Sequence, residues 1–315
     1  VVIGLGTRLQ DFTTGSWALF RNEDRRIDSI NVAPYDTHKH NALPVVADAR
    51  LALEELTGLL GGHRAPDIDA GLKPGWIDAV DGVTAAPSGN AKPTDMQVIG
   101  AVQRGVPDDA IVVCAAGGLP GELHKLWKAV RPNGYHLEYG FSTMGYEIAG
   151  GLGVKMAHPD REVVVMVGDG SYMMLNSELA TSVMLGQKII VVLLDNRGYG
   201  CINRLQIACG GASFNNLIDT ARHVVPSSID FAAHAAAMGA GSEKVGSIAE
   251  LEAASGRARE SDKSYVVVID PDPMPTTDAG GAWWDVAVPE VSDREEVRAA
   301  RARYETARAL QRVAD

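Results

Sequence analysis

The sequence predicts an α/β protein built on a doubly wound parallel sheet. Two apolar runs, residues 163–167 and 189–194, are rich in Val and Ile, as strands buried on both faces tend to be. Between them Leu175, Leu179 and Val183 recur at four-residue steps, which is typical of one face of a helix. This strand–helix–strand unit ends in polar, Gly-containing loops, and open parallel sheets bind ligands at such carboxyl ends of strands.

Composition limits the classes of partner. The chain has 315 residues and a formal net charge of −11, which argues against nucleic acid or an anionic membrane surface. No apolar run approaches the roughly 20 residues that cross a bilayer, so we expect no membrane partner. The three cysteines lack the spacing of a metal site and indicate a reduced, cytoplasmic protein.

The first third of the chain predicts the end of one domain and a linker. Residues 1–6 resemble the middle of a buried strand, residues 27–32 a second strand, and residues 45–60 an amphipathic helix. We interpret residues 1–62 as the C-terminal part of a Rossmann-like central domain, and we expect the chain to be the C-terminal part of a longer protein. The Gly-, Pro- and Ala-rich residues 63–93 are predicted to form a linker.

The rest of the chain predicts the doubly wound domain over residues 94–292, followed by a charged C-terminal helix over 293–315. Thr94 is a candidate helix cap. The predicted strands are 109–116, 136–139, 163–167, 189–194 and 265–270. Besides the helix between 167 and 189, the predicted helices are 96–104, 122–130, 146–156, 229–238 and 247–259. Polar, Gly-rich composition predicts loops over 199–216 and 270–289.

The loop Gly168-Asp169-Gly170-Ser171 carries the first chemical hypothesis. Glycines let a ligand approach the backbone, and free N–H groups at a helix start suit a diphosphate. Because two anions repel, the Asp169 carboxylate would hold a cation rather than the phosphate itself. Asn196, at the end of the next strand, adds a neutral oxygen, and such mixed oxygen ligands favour Mg²⁺. The alternative is that Asp169 is an ordinary helix cap.

This pattern resembles the signature of thiamin-diphosphate-dependent enzymes. The resemblance implies thiamin diphosphate and Mg²⁺ as cofactors. It also implies that the metal is held by the side chains of Asp169 and Asn196 and by the backbone carbonyl of Gly198. Members of the family often have a second Asn where this chain has Arg197, a difference that leaves the ligand positions intact.

Two further loops resemble cofactor-binding segments of the same family. Residues 142–145 are similar to the segment of acetohydroxyacid synthase-like enzymes in which a Met supports the bent cofactor and a nearby carbonyl holds its aminopyrimidine. The loop that begins at residue 117 sits where relatives contact the diphosphate from its other side, although its sequence departs from theirs. The cofactor-binding residues implied by the resemblance are Gly117, Gly118, Ser142, Met144, Gly168, Gly170, Ser171 and Asn196.

Other segments resemble one group within the family, the hydrolases that open a cyclic 1,2-dione in myo-inositol catabolism. These segments are residues 4–14, 168–172, 195–200 and 280–292. The resemblance implies a C–C bond hydrolase that converts a small polyhydroxylated cyclic diketone to 5-deoxy-glucuronate. Two alternatives stay open: an acetohydroxyacid synthase-like carboligase or 2-oxo-acid decarboxylase, and a non-catalytic half that only binds the cofactor.

The resemblance also implies that the site is completed elsewhere. In this family the glutamate that starts ylide formation belongs to an N-terminal domain, so no catalytic residue is assigned to this chain. The implied partners are the N-terminal half of the same enzyme and a second subunit, in a homodimer or homotetramer.

Overall fold

The computed structural model describes residues 1–64, 71–87, 91–277 and 284–312. The described chain forms two compact units. The smaller is drawn from residues 1–70, 208–211 and 278–315, and the larger from residues 71–207 and 212–277. Parts of the predicted linker (65–70 and 88–90), of the tail motif (280–283) and of the C-terminal helix (313–315) lie outside the described residues. The four predicted domain boundaries stay predictions.

The described part of the smaller unit contains a three-stranded parallel sheet with the order β1-β2-β3. Its N-terminal elements are β1 (Val2–Leu5), α1 (Asp11–Thr14), β2 (Ile27–Asn31), α2 (Pro34–Thr37), β3 (Leu43–Val46) and α3 (Ala49–Leu60). The helix predicted from residue 45 therefore begins at Ala49, because the Asp48 side chain caps it by accepting hydrogen bonds from the N–H groups of Arg50 and Leu51.

The larger unit confirms the doubly wound parallel sheet. Among its described residues six strands pair in parallel in the order β5-β4-β6-β7-β9-β8. They are β4 (Ile111–Cys114), β5 (Tyr135–Leu137), β6 (Val163–Gly168), β7 (Ile190–Leu194), β8 (Gly241–Val245) and β9 (Tyr265–Ile269). The helices are α4 (Leu72–Thr84), α5 (Asp95–Gly105), α6 (Gly118–Leu126), α7 (Tyr146–Ala157), α8 (Asp169–Met174), α9 (Glu178–Met184), α10 (Gly200–Ala208), α11 (Phe231–Ala237) and α12 (Ile248–Glu260).

Helices cover both faces of this sheet. Val164 and Met166 point into one apolar core, which α5, α6 and α12 complete, and Val163, Val165 and Val167 point into the other, which α7, α9 and α11 complete. The period of two along β6 thus serves two buried faces, which is why its sequence is apolar throughout.

In the larger unit, three elements lie where the sequence predicted none. The predicted linker contains α4, whose Val80 and Thr84 are buried and which packs on α5. The predicted loop after residue 199 contains α10. β8 was not predicted, because its sequence Gly-Ser-Glu-Lys-Val is mostly polar and, as an edge strand, it pairs only with β9.

The helix predicted between β6 and β7 is broken. Leu175 leaves the helical conformation and is exposed, whereas Leu179 is fully buried, so the two do not share one helical face as predicted. The predicted helix over 122–130 also begins earlier, at Gly118, and ends at Leu126.

The C-terminal helix α13 (Glu295–Arg308) belongs to the smaller unit. Its Val297 and Ala300 pack with Val288, and the following Arg312 donates a hydrogen bond to the carbonyl of Leu19 at 2.8 Å. Along the described stretches no helix, this one included, is long and apolar enough to cross a membrane.

Candidate functional site

The predicted site residues gather at one edge of the six-stranded sheet. They follow the carboxyl ends of β5, β4, β6 and β7, which are neighbours in that order. From β4 the chain moves outward to β5 and then returns to place β6 on the other side of β4, so the direction of winding reverses between β4 and β6. Ligands of doubly wound sheets bind in the crevice at such a reversal. Gly117 and Gly168 stand on its two sides.

The metal end of the site lies after β6 and β7. Asp169 is buried, and its Oδ2 accepts a hydrogen bond from the N–H of Gly198 at 2.8 Å. The side-chain amide of Asn196 meets the carbonyl oxygen of Gly198 at 2.7 Å and Oδ1 of Asp169 at 3.2 Å. With its nitrogen in that place the amide donates to both oxygens; with its oxygen there, three oxygens face one another.

The second orientation suits a bound cation. Mg²⁺ binds oxygens at roughly 2.0–2.1 Å in an octahedron, so adjacent ligand oxygens lie about 2.9 Å apart. The 2.7 and 3.2 Å separations bracket that value. The donor set is one carboxylate, one amide and one carbonyl, which are the hard oxygen ligands that Mg²⁺ prefers. These three residues therefore fit the implied metal. The described residues contain no cluster of three or more His, Cys, Asp or Glu side chains suited to a metal.

Gly198 is held by pairing with a neighbouring segment. The N–H of Tyr199 donates to the carbonyl of Asn216 at 2.7 Å, and the N–H of Ile218 donates to the carbonyl of Arg197 at 2.8 Å. Gly198 has φ +137°, and a Cβ there would collide with the carbonyl oxygen of Asn216. Only glycine therefore presents its carbonyl in this position without strain.

The protein environment disfavours a charge on Asp169 when no cation is present. Burial is the largest cause, and the neighbouring carboxylate of Asp195 adds to it, which together raise the pKa of Asp169 to about 7. The N–H groups of Gly198 and Gly170 oppose this shift. A divalent cation at the carboxylate would favour the ionised form and offset the cost of its burial.

The glycines of the diphosphate end have different surroundings. Around Gly168, which has an ordinary φ of −81°, a Cβ would find open space. At Gly170 a Cβ would lie 2.7 Å from the ring of Tyr199, so packing inside the protein requires this glycine. Gly118 begins α6, and the guanidinium of Arg204 occupies the place that a Cβ of Gly118 would take. Of these three glycines, Gly168 is the one whose Cβ position is open.

Two carboxylates that sequence reasoning missed accept hydrogen bonds from the backbone of the loop 141–145. Glu138 accepts hydrogen bonds from the N–H groups of Phe141, at 3.1 Å, and Thr143, at 2.7 Å, and these bonds lower the pKa of Glu138. Glu147 accepts from the N–H of Gly145 at 3.0 Å. Ser142 is exposed with φ +55°, and Met144 is half-buried. A carboxylate within the apolar, Gly-rich run of α7 was the available signal for Glu147.

Ser171 is predicted to bind the cofactor, and its side chain makes hydrogen bonds within the protein. It is buried, its hydroxyl donates to the carboxylate of Glu147, and its oxygen accepts from the N–H of Gly145. The predicted roles of Ser171 and of the other cofactor-binding residues stay predictions.

Comparison with known proteins identifies the class. Residues 115–269, which include every candidate residue named above, match the family model described as "Thiamine pyrophosphate enzyme, C-terminal TPP binding domain". The predicted resemblance to thiamin-diphosphate-dependent enzymes is confirmed, because this part of the chain matches the model of their C-terminal cofactor-binding domain.

Comparison of whole chains is more specific. The chain is 39% identical to 3D-(3,5/4)-trihydroxycyclohexane-1,2-dione hydrolase of Halalkalibacterium halodurans and 37% identical to the protein of the same name from Bacillus subtilis. Each alignment covers 95% of this chain and 51% of the relative. The chain therefore spans about half the length of the curated relatives it matches, and its predicted resemblance to this hydrolase is confirmed.

A solved structure supports the fold. The thiamine diphosphate-dependent 4-hydroxybenzoylformate decarboxylase of Rhodococcus jostii RHA1 superposes with a TM-score of 0.62, covering 79% of this chain and 44% of the decarboxylase. At 18% sequence identity this likeness concerns the fold alone.

Proposed function

We propose that the full-length protein is a thiamin-diphosphate- and Mg²⁺-dependent hydrolase that opens the ring of 3D-(3,5/4)-trihydroxycyclohexane-1,2-dione to 5-deoxy-glucuronate in inositol catabolism. The observation that carries this proposal is the convergence of the Asp169 carboxylate, the Asn196 amide and the Gly198 carbonyl in the crevice of a domain that matches the thiamine-pyrophosphate-binding model. Similarity over 95% of the chain to relatives that bear the hydrolase's name supports the choice of substrate.

The residues of this chain would bind and orient the cofactor. Asp169, Asn196 and the Gly198 carbonyl hold Mg²⁺, and Gly168 leaves room for the diphosphate beside it. When bound, thiamin diphosphate supplies a nucleophilic carbon and stabilises negative charge as a C–C bond next to the attacked carbonyl breaks. On the other side of the crevice, the Ser142 carbonyl and the Met144 side chain position the aminopyrimidine.

The proposal divides the active site between polypeptide regions. It assigns no proton-transfer residue to this chain, and it places the glutamate that activates the cofactor in the half of the relatives' length that this chain does not span. A second subunit completes the site in a homodimer or homotetramer.

The proposal places the protein in the cytoplasm. All three cysteines, Cys114, Cys201 and Cys209, lie among the described residues and are free thiols. Free thiols are usual where the compartment is reducing.

Steady-state turnover by the full-length protein tests the substrate. We expect turnover of the cyclic dione with thiamin diphosphate and Mg²⁺, its loss after treatment with a chelator, and its return when Mg²⁺ is added. Turnover of pyruvate without turnover of the dione would instead support the carboligase or decarboxylase alternative. Cofactor binding without turnover of either substrate would support a non-catalytic half.

A further inference from the structure

Glu147 is a buried carboxylate to which the proposed function gives no task. It is the second residue of α7 and only 1% exposed. Burial is the main cause that raises its pKa, and its hydrogen bonds to Ser171 and Gly145 oppose the shift. Because an apolar side chain here would avoid the cost of removing a carboxylate from water, stability alone does not call for a glutamate at this position.

The carboxylate closes a small hydrogen-bonded cluster. The Ser171 hydroxyl lies 2.7 Å from Oε1 and 2.8 Å from Oε2 of Glu147 and donates to this carboxylate. The N–H of Gly145 lies 3.0 Å from Oε2 of Glu147 and 2.7 Å from Oγ of Ser171. The single proton of the Ser171 hydroxyl is therefore committed to Glu147 and is not available to a ligand in the crevice.

This cluster joins the two loops that face the cofactor site. Gly145 ends the loop that carries Ser142 and Met144, and Ser171 lies two residues after Asp169. The two segments also approach each other closely at Gly145. Gly145 has φ +90°, and a Cβ there would lie 3.2 Å from Cβ of Met174 at the end of α8. Any shift of one loop relative to the other would have to break hydrogen bonds made in a buried place, where they are costly to lose.

We propose that Glu147 is a positioning residue that fixes the Met144 loop relative to the Asp169 loop, so that the aminopyrimidine and the diphosphate of one cofactor molecule are bound at the same time. The inference rests on the thiamin diphosphate site of the proposed function. It makes a distinction that a general structural role does not make: a ligand that touches both loops needs Glu147, and a ligand that touches only the Asp169 loop does not.

Calorimetric titration of the full-length protein with two probes tests this distinction. The probes are thiamin diphosphate with Mg²⁺, which spans both loops, and inorganic pyrophosphate with Mg²⁺, which occupies only the diphosphate end. For Glu147→Leu we expect affinity for thiamin diphosphate to fall about tenfold or more, while affinity for pyrophosphate changes by less than about twofold. Glu147→Gln keeps an oxygen that can accept from Ser171, so we expect a smaller loss, about threefold, for thiamin diphosphate alone.

Two further variants sharpen the test. Ser171→Ala breaks the cluster from its other side, and because the two groups act together, Glu147→Gln with Ser171→Ala should cost no more than the larger single change. Glu243→Gln is the matched control. Glu243 lies on β8, the edge strand farthest from β5, and accepts hydrogen bonds from Tyr265 of β9 and Arg257 of α12, so its replacement should leave both affinities unchanged.

The outcomes separate the two proposals. Equal losses for both probes, or no loss for either, would overturn the positioning role of Glu147. If Glu147→Leu does not fold, the ratio of the affinity for thiamin diphosphate to the affinity for pyrophosphate is measured in Glu147→Gln and Ser171→Ala instead. A ratio equal to that of the parent protein would overturn the positioning role. Selective loss of thiamin diphosphate binding in a protein that does not turn over the dione would support Glu147 and refute the hydrolase, whereas a parent protein that binds neither probe would refute both.

Discussion

The two ends of the candidate site are built in different ways. At the proposed metal end, after β6 and β7, the groups that converge are the side chains of Asp169 and Asn196 together with the Gly198 carbonyl. At the other end, the loop 141–145 offers backbone atoms and Met144, while the carboxylates of Glu138 and Glu147 hold it from behind. The difference teaches that a short motif predicts candidate ligand side chains but does not reveal the residues that hold a backbone segment in place.

The largest effect is expected from a substitution at the proposed metal end. Asp169→Ala removes the carboxylate of the donor set, so Mg²⁺-dependent binding of thiamin diphosphate should fall below detection in calorimetry. Asp262→Ala is the control. Asp262 is exposed in the turn before β9, at the amino ends of the strands, whereas the candidate site lies at their carboxyl ends. Unchanged cofactor binding by Asp169→Ala would refute the metal assignment.

A glycine pair tests whether backbone geometry matters as much as the carboxylate. Gly198→Ala places a Cβ against the Asn216 carbonyl at φ +137°, so we expect a loss of about 1–3 kcal/mol in the free energy of unfolding and weaker binding of Mg²⁺. Gly168→Ala meets open space at φ −81° and should leave the stability of the cofactor-free protein unchanged while weakening binding of thiamin diphosphate. Denaturant unfolding and calorimetry measure the two effects. Equal stability of Gly198→Ala and the parent would contradict the first.

The pH dependence of metal binding sharpens the metal end further. Burial raises the pKa of Asp169 to about 7, so below that pH the carboxyl group of the cofactor-free protein holds a proton that Mg²⁺ must displace. Affinity for Mg²⁺ should therefore fall by about tenfold per pH unit below 7 and level off above it. Titrations in buffers of different ionisation enthalpy would show the released proton. If the affinity for Mg²⁺ does not change between about pH 5.5 and 7, Asp169 does not hold a proton in this range and the prediction is wrong.

The smallest expected effect is at the outer support of the loop. Glu138 is less buried than Glu147, and in Glu138→Gln the amide oxygen can still accept from one of the two N–H groups. We expect affinity for thiamin diphosphate to fall by less than about threefold. A loss of affinity as large as that of Glu147→Leu would show that Glu138 and Glu147 position the loop equally. Glu147 would then have no special role.

Sequence reasoning reached the strongly patterned parts of the fold and missed elements whose burial depends on partners. The apolar runs at 163–167 and 189–194 predicted β6 and β7, because a strand buried on both faces must be apolar throughout. β8 is mostly polar, and only its pairing with β9 makes it a strand. Leu175 and Leu179 have helical spacing, but Leu175 lies outside the helix. The prediction failed here because spacing does not reveal where a helix breaks.

The sequence by itself determined which residues are the candidates for a metal site: Asp169 and Asn196 are specified by their types and by their places after two apolar runs. The tertiary structure decided what those residues meet. Placing β6 beside β4 created the crevice, and pairing of residues 197–199 with 216–218 aimed the Gly198 carbonyl at Asn196. It also brought Glu147 to Ser171, 24 positions further along the chain. Hydrogen bonds between distant segments leave no period in the sequence, so folding alone brings such partners together.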